Sequence, residues 1–123
     1  KRANEIASMV VIGDVTGKDI VIIDDICDTG GTLAKSAALL KEKGARSVRA
    51  LITHPVLSGK AYENIENSVL EELVVCDTIP IRNESSKMKV ISVAELFAVA
   101  IRNAFENKSI TSLFIHSQRR QSL

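Results

Sequence analysis

Ile20-Val21-Ile22-Ile23-Asp24-Asp25-Ile26-Cys27-Asp28-Thr29-Gly30-Gly31-Thr32 is the stretch that decides how the rest of the chain is read. The apolar run at 20–23 predicts a strand covered on both faces, as in parallel sheets with helices above and below. Residues 32–43 then place Leu33, Ala37 and Leu40 at helical spacing beside Ala34 and Ala38, with Gly44 as the C-cap. Residues 47–53 read as the next strand. Strand, helix and strand make one βαβ unit, with a right-handed crossover expected.

Outward from this unit, residues 9–12 are a short apolar run closed by Gly13-Asp14 and predict an earlier strand. His54-Pro55 breaks the strand at 47–53, and Ser58 is placed to cap a short helix through Tyr62 and Ile65. Residues 72–76 and 89–91 predict two more strands, and 82–87 reads as the most mobile stretch. Ser92-Val93-Ala94-Glu95 has the form of a capping box, opening a helix to about residue 106 with Phe97, Ile101, Ala104 and Phe105 on one face. Strands alternating with helices predict an α/β fold, a parallel sheet flanked by helices.

A length of 123 residues bounds the chain to one compact domain or part of one. We read 1–116 as that domain and the polar, basic residues 117–123 as a disordered tail. The core must be aliphatic, because the chain has one Tyr, three Phe and no Trp. Sixteen basic against fifteen acidic residues argue against a nucleic-acid or membrane surface, so any anion must be bound locally. Cys27 and Cys76 lack metal-ligand spacing and read as free thiols. No apolar run approaches the roughly 18 residues of a membrane span, and a soluble cytoplasmic protein is expected. Gly13-Asp14-Val15-Thr16-Gly17-Lys18 resembles a P-loop only superficially: it has one residue too few between the glycines and Asp19 where Ser or Thr is required. It reads as a turn.

The quoted stretch has two chemical ends. Asp24 and Asp25 sit where ligands bind in open parallel sheets, at the C-terminal end of a strand. Two uncompensated buried carboxylates would cost several kcal/mol, so this end calls for hydroxyl donors, a cation or water. Thr29-Gly30-Gly31-Thr32 offers the opposite: backbone N–H groups without bulky side chains, two hydroxyls and the positive end of the following helix. One ligand that satisfies both ends is a five-carbon sugar phosphate. The bland reading is two solvated aspartates before a helix that Asp28 or Thr29 caps.

Val21-Ile22-Ile23-Asp24-Asp25, two residues, then Asp28-Thr29-Gly30-Gly31-Thr32 is similar to the PRPP-binding motif of type I phosphoribosyltransferases and of ribose-phosphate pyrophosphokinases. Ala3-Asn4-Glu5, Gly13-Asp14-Val15, Leu51-Ile52-Thr53-His54, Leu57-Ser58-Gly59, Thr78-Ile79-Pro80 and Ser109-Ile110-Thr111-Ser112-Leu113-Phe114 resemble the second family, in its C-terminal portion. The resemblance extends to about His116 and implies a phosphoribosyltransferase-like domain, incomplete on its N-terminal side. It implies transfer of the diphosphoryl group of ATP to ribose 5-phosphate, with Mg²⁺, to make PRPP for nucleotide synthesis.

By matching positions, Asp24 and Asp25 would hold the ribose hydroxyls or the metal, and Asp28, Thr29, Gly30, Gly31 and Thr32 the 5-phosphate. The family's catalytic Lys and Arg are expected upstream of Lys1, so no residue here is assigned a catalytic role and the chain alone is expected to be inactive. Ser109, Thr111 and Phe114 match a segment that contributes to an allosteric site for ADP or phosphate, although the family often has Ser where Thr111 stands. Full-length members are expected to form hexamers. His54 reads as a hydrogen-bonded loop histidine and His116 as incidental. Two other readings remain: a phosphoribosyltransferase, which lacks support from any aromatic residue placed to stack a base, and a non-catalytic regulatory subunit, against which the intact loop speaks.

Overall fold

The computed structural model describes residues 10–111 and residue 113. They fall into two units that divide after residue 91. The first holds β1 (Asp19–Cys27), α1 (Gly31–Glu42), β2 (Ser47–Pro55), α2 (Ala61–Glu66), β3 (Glu72–Cys76) and β4 (Met88–Ile91). The second holds α3 (Ala94–Phe105). The strands form one parallel sheet in the order β1-β2-β3-β4. The α/β class is as the pattern predicts.

β1 does not end at Ile23. It runs on through both aspartates to Cys27 because β2 also continues, pairing Asp24 with Ile52, Ile26 with His54 and Cys27 with Pro55. A proline at the end of a strand removes no ladder bond that the sheet needs. The apolar residues at 10–12 are not a strand, and Val10 and Ile12 are exposed; Met9 lies outside the described residues. A short apolar run becomes a strand only where a sheet offers it a partner, and periodicity carries no information about that.

The core lies on one face of the sheet. Val48, Ala50 and Ile52 of β2 and Leu73 and Val75 of β3 pack with Leu33 and Ala37 of α1 and Ala61 and Ile65 of α2. On the other face Val21, Ile23 and Leu51 are exposed. The expectation that this strand is covered on both faces is therefore corrected within this unit: a run of apolar residues reports hydrophobicity, not which element covers each side.

α1 ends as a Schellman motif. Gly44 N–H donates to Lys41 C=O at 3.0 Å and Ala45 N–H to Leu40 C=O at 3.1 Å, with Gly44 at φ +94°. The turn that imitates a P-loop is fastened there, Gly17 N–H donating to Gly44 C=O at 2.8 Å, and Thr16 N–H closes an Asx-turn on Asp14 at 2.9 Å. In the second unit α3 stops the same way, with Asn107 at φ +53° in the glycine position. Its start is one residue later than the capping-box pattern implies: Val93 holds the cap position, and Ser92 Oγ accepts from Ala94 N–H at 3.3 Å.

Residues 82–87 are tied down instead of loose. Arg82 and Asn83 N–H donate to the Tyr62 hydroxyl at 3.1 and 3.3 Å, and Ser85 Oγ donates to Glu66. Lys87 Nζ donates to Glu66 C=O at 2.8 Å and Ser68 C=O at 2.7 Å, which neutralises the negative end of α2. None of these partners is adjacent in sequence, so composition alone reads the segment as free.

Replacing Gly44 by Ala forces a side chain onto φ +94°, although Thr16 at 3.5 Å leaves it room. The expected loss is about 1–2 kcal/mol from backbone strain alone, measured by urea denaturation with an unchanged slope.

Candidate functional site

The site starts from strand alternation. Asp24 shares a face with Ile22 and Ile26, and Asp25 points to the opposite face with Ile23. Asp24 accordingly lines a cavity of about 300 Å³ together with Asp28, Thr29, Gly30 and Thr32. Asp25 and Gly31 do not line it. The structure therefore gathers five of the seven loop residues singled out in the sequence around one cavity. Gly31 is the first residue of α1, and Asp25 N–H donates to Asp24 Oδ1 at 2.9 Å.

The far end of the cavity is the start of α1. Gly30 takes the left-handed conformation at φ +71° and ψ −6°, no side chain caps the helix, and no acidic residue occupies its first turn. Gly30 C=O accepts from Ala34 N–H at 2.9 Å, closing the first turn. The amides at a helix start have no intrahelical acceptors, and here no capping side chain takes them. They carry the positive end of the helix dipole, beside the hydroxyls of Thr29 and Thr32.

A second segment holds this loop in shape. Leu57 N–H donates to Cys27 C=O at 3.1 Å and Ser58 N–H to Asp28 C=O at 3.0 Å, extending the β1–β2 contact beyond the sheet. Ser58 Oγ donates to the Asp28 carboxylate, and Asn64 Nδ2 donates to Thr29 C=O at 2.8 Å. Sequence reading gives Ser58 to the start of α2 as a side-chain cap; instead Lys60 is the cap residue and the Ser58 hydroxyl turns to the loop. The Asp28 carboxylate and the Thr29 carbonyl, both of which would repel an anion, are thus engaged by donors. Asn64 carries no local sequence signal for this role; a polar residue on the inner side of a two-turn helix is the only trace.

Cys27 is buried in the cavity wall. Burial pushes its thiol pKa up, the Gly30 N–H opposes this by donating to the sulfur, and the charges of Asp24 and Asp28 add to the rise. Cys27 and Cys76 are both free thiols. Among the described residues no three His, Cys, Asp or Glu side chains converge on a metal position. A larger hollow of about 540 Å³ lies between residues 81–85 and β4. Its walls include the backbone and side-chain groups already bound to Tyr62 and Glu66, so it lacks the convergent donors of the smaller cavity.

His54 is half-buried near the end of β2, with Nδ1 2.9 Å from Thr78 Oγ1. Ser109 and Thr111 belong to the second unit and are exposed, Ser109 Oγ accepting from Thr111 N–H at 3.1 Å. Phe114, Lys1, Arg2 and His116 lie outside the described residues.

With this geometry in place, likeness to known proteins is informative. The sequence profile of the phosphoribosyl synthetase-associated domain matches residues 1–115. Two curated relatives, both named ribose-phosphate pyrophosphokinase, are similar over 115 residues: one from Wolinella succinogenes at 56% identity and one from Campylobacter jejuni at 54%, each covering 94% of this chain. The chain spans 37% of the length of each. A crystal structure of phosphoribosylpyrophosphate synthetase from Mycobacterium smegmatis superposes with a TM-score of 0.76 at 41% identity, over 78% of this chain and 33% of that one.

Two outcomes follow from the loop. A Cβ on Gly30 would sit 3.4 Å from Ala61 O and Ile65 Cγ1 at positive φ, whereas one on Gly31 meets nothing closer than 3.8 Å. Gly30→Ala should cost about 1–2 kcal/mol in chemical denaturation and Gly31→Ala no more than a few tenths. Cys27 should resist alkylation in the folded chain at neutral pH and react only as pH rises above the ordinary thiol range near 8.5; peptide-resolved mass spectrometry after iodoacetamide treatment reads this directly.

Proposed function

This chain belongs to the phosphoribosyl synthetase-associated family, and from that premise we propose that it is the ribose 5-phosphate-binding, C-terminal portion of a ribose-phosphate pyrophosphokinase. The observation that carries the reading is the uncapped start of α1 set one loop away from the Asp24 carboxylate in a single cavity. The amides of residues 29–32 receive the 5-phosphate, and Asp24 accepts from a ribose hydroxyl. Three or four charge-assisted hydrogen bonds of about 1.5–3 kcal/mol each support micromolar-class binding after entropic costs.

The complete protein would form a bond from the sugar's 1-hydroxyl oxygen to the β-phosphorus of ATP as the bond to the α-phosphoryl group breaks, releasing AMP. Such a step needs positioning and charge neutralisation more than covalent chemistry from the protein. This portion's share is to orient the sugar, with its phosphate pinned at one end and its hydroxyls at the other. A Mg²⁺ ion is commonly held by one or two carboxylates together with ligand oxygens, so Asp24 would fit as a partial holder, whereas Asp25 on the opposite face would not share it; when bound, the ion would neutralise charge near the sugar. The proposal extends to ATP as co-substrate, PRPP as product, a cytoplasmic setting, hexamer formation by the complete protein, and an effector site for ADP or phosphate that includes Ser109, Thr111 and Phe114.

Calorimetric titration with ribose 5-phosphate, ribose and phosphate, with and without Mg²⁺, tests the reading. Ribose 5-phosphate should bind at least tenfold more tightly than phosphate; equal affinities would refute a two-ended site. Asp24→Asn should weaken ribose 5-phosphate about tenfold and leave phosphate unchanged. Supplied with ATP, Mg²⁺ and ribose 5-phosphate, the 123-residue chain should release no AMP.

A further inference from the structure

Thr78 and His54 form a relay whose proton positions can be deduced. The Thr78 hydroxyl donates to Thr53 C=O at 2.9 Å and also stands 2.9 Å from His54 Nδ1. A hydroxyl has one proton, and a carbonyl can only accept, so towards the imidazole Thr78 can only accept. Nδ1 must therefore carry the ring proton. In the neutral ring, Nε2 is left with a bare lone pair, an assignment made from the hydrogen-bond network.

The register says where this ring stands. Residues 48, 50, 52 and 54 of β2 share the face of Ile22, Asp24 and Ile26, with Asp24 opposite Ile52 and Ile26 opposite His54. Ile26 lines the cavity, and His54, not itself a lining residue, is paired with Ile26 on the next strand, two residues beyond the Asp24–Ile52 pair on the same face. Three residues on, at Leu57, the chain folds back to brace Cys27 and Asp28.

We infer that His54 is a further recognition residue of this site, its Nε2 accepting a hydrogen bond from a ribose hydroxyl on the β2 side of Asp24; this rests on the ribose 5-phosphate reading above. A lone pair repels phosphate oxygens, so the contact belongs to the sugar end. The bond to Thr78 fixes the ring before the ligand arrives, which selects a hydroxyl-bearing sugar phosphate over bare phosphate.

Long-range ¹H–¹⁵N spectra of the chain, with His116→Ala separating the two histidines, test this. The free chain should show the Nδ1-protonated tautomer at a pH where the ring is neutral. Ribose 5-phosphate should shift the Nε2 resonance, and inorganic phosphate should not. In His54→Asn, the side-chain amide keeps a donor to Thr78 and Nε2 is lost; its melting temperature and phosphate affinity should be unchanged, and its ribose 5-phosphate affinity about tenfold weaker, the loss of one hydrogen bond. An Nε2-protonated tautomer in the free chain overturns the inference alone. So does wild-type affinity of His54→Asn for ribose 5-phosphate while the amides of residues 29–32 still respond. If ribose 5-phosphate moves none of those amides, both this inference and the functional reading fall. Should His54→Asn not fold, the Nε2 shift in the wild-type chain decides.

Discussion

Two backbone hydrogen bonds beyond the end of the sheet, Leu57 N–H to Cys27 C=O and Ser58 N–H to Asp28 C=O, are the constraint on which the site depends. They carry the β1–β2 contact past the last ladder residue and anchor residues 27 and 28, from which the chain bends through Thr29 and Gly30 into α1. Reversal into α1 requires a positive φ at Gly30, where a side chain would be strained and would lie against Ala61 and Ile65. Glycine at position 30 answers that demand. α1 then begins beside the cavity with no capping side chain on its first amides.

The same bracing solves an electrostatic problem. A loop that binds an anion contains carbonyls and a carboxylate that would oppose it. Asn64 takes up the Thr29 carbonyl, and Ser58 takes up the Asp28 carboxylate. One end of the cavity then carries the start of α1 and the hydroxyls of Thr29 and Thr32 beside an Asp28 carboxylate that Ser58 already engages, and Asp24 stands at the other. The loop and α2 with its preceding turn are thus one device, although some 30 residues separate them in sequence.

Much of this was legible in the sequence, for identifiable reasons. The order of strands and helices follows from apolar spacing and from Gly44, whose positive φ ends α1 where the pattern places the stop. The loop was legible because a strand, two acidic residues, a Thr-Gly-Gly-Thr string and an amphipathic helix each constrain the same dozen residues. What was not legible depends on partners. The run at 10–12 lacks a strand to pair with among the described residues; residues 82–87 look free until Tyr62, Glu66 and the carbonyls of residues 65–68 are brought to them; and Ser58 looks like a cap until Asp28 is beside it. The division between Asp24 and Asp25 was hidden for a simpler reason. A strand assumed to stop at Ile23 leaves both carboxylates in a loop, whereas one that continues to Cys27 sends them to opposite faces.

The central claim is that one ligand spans the two ends of this cavity. A crystal structure of the chain grown with ribose 5-phosphate measures that most directly. The account predicts phosphate oxygens within hydrogen-bond distance of the amides of residues 29–32 and a ribose hydroxyl on the Asp24 carboxylate. Phosphate bound away from the start of α1, or a ribose turned from Asp24 towards solvent, would contradict it.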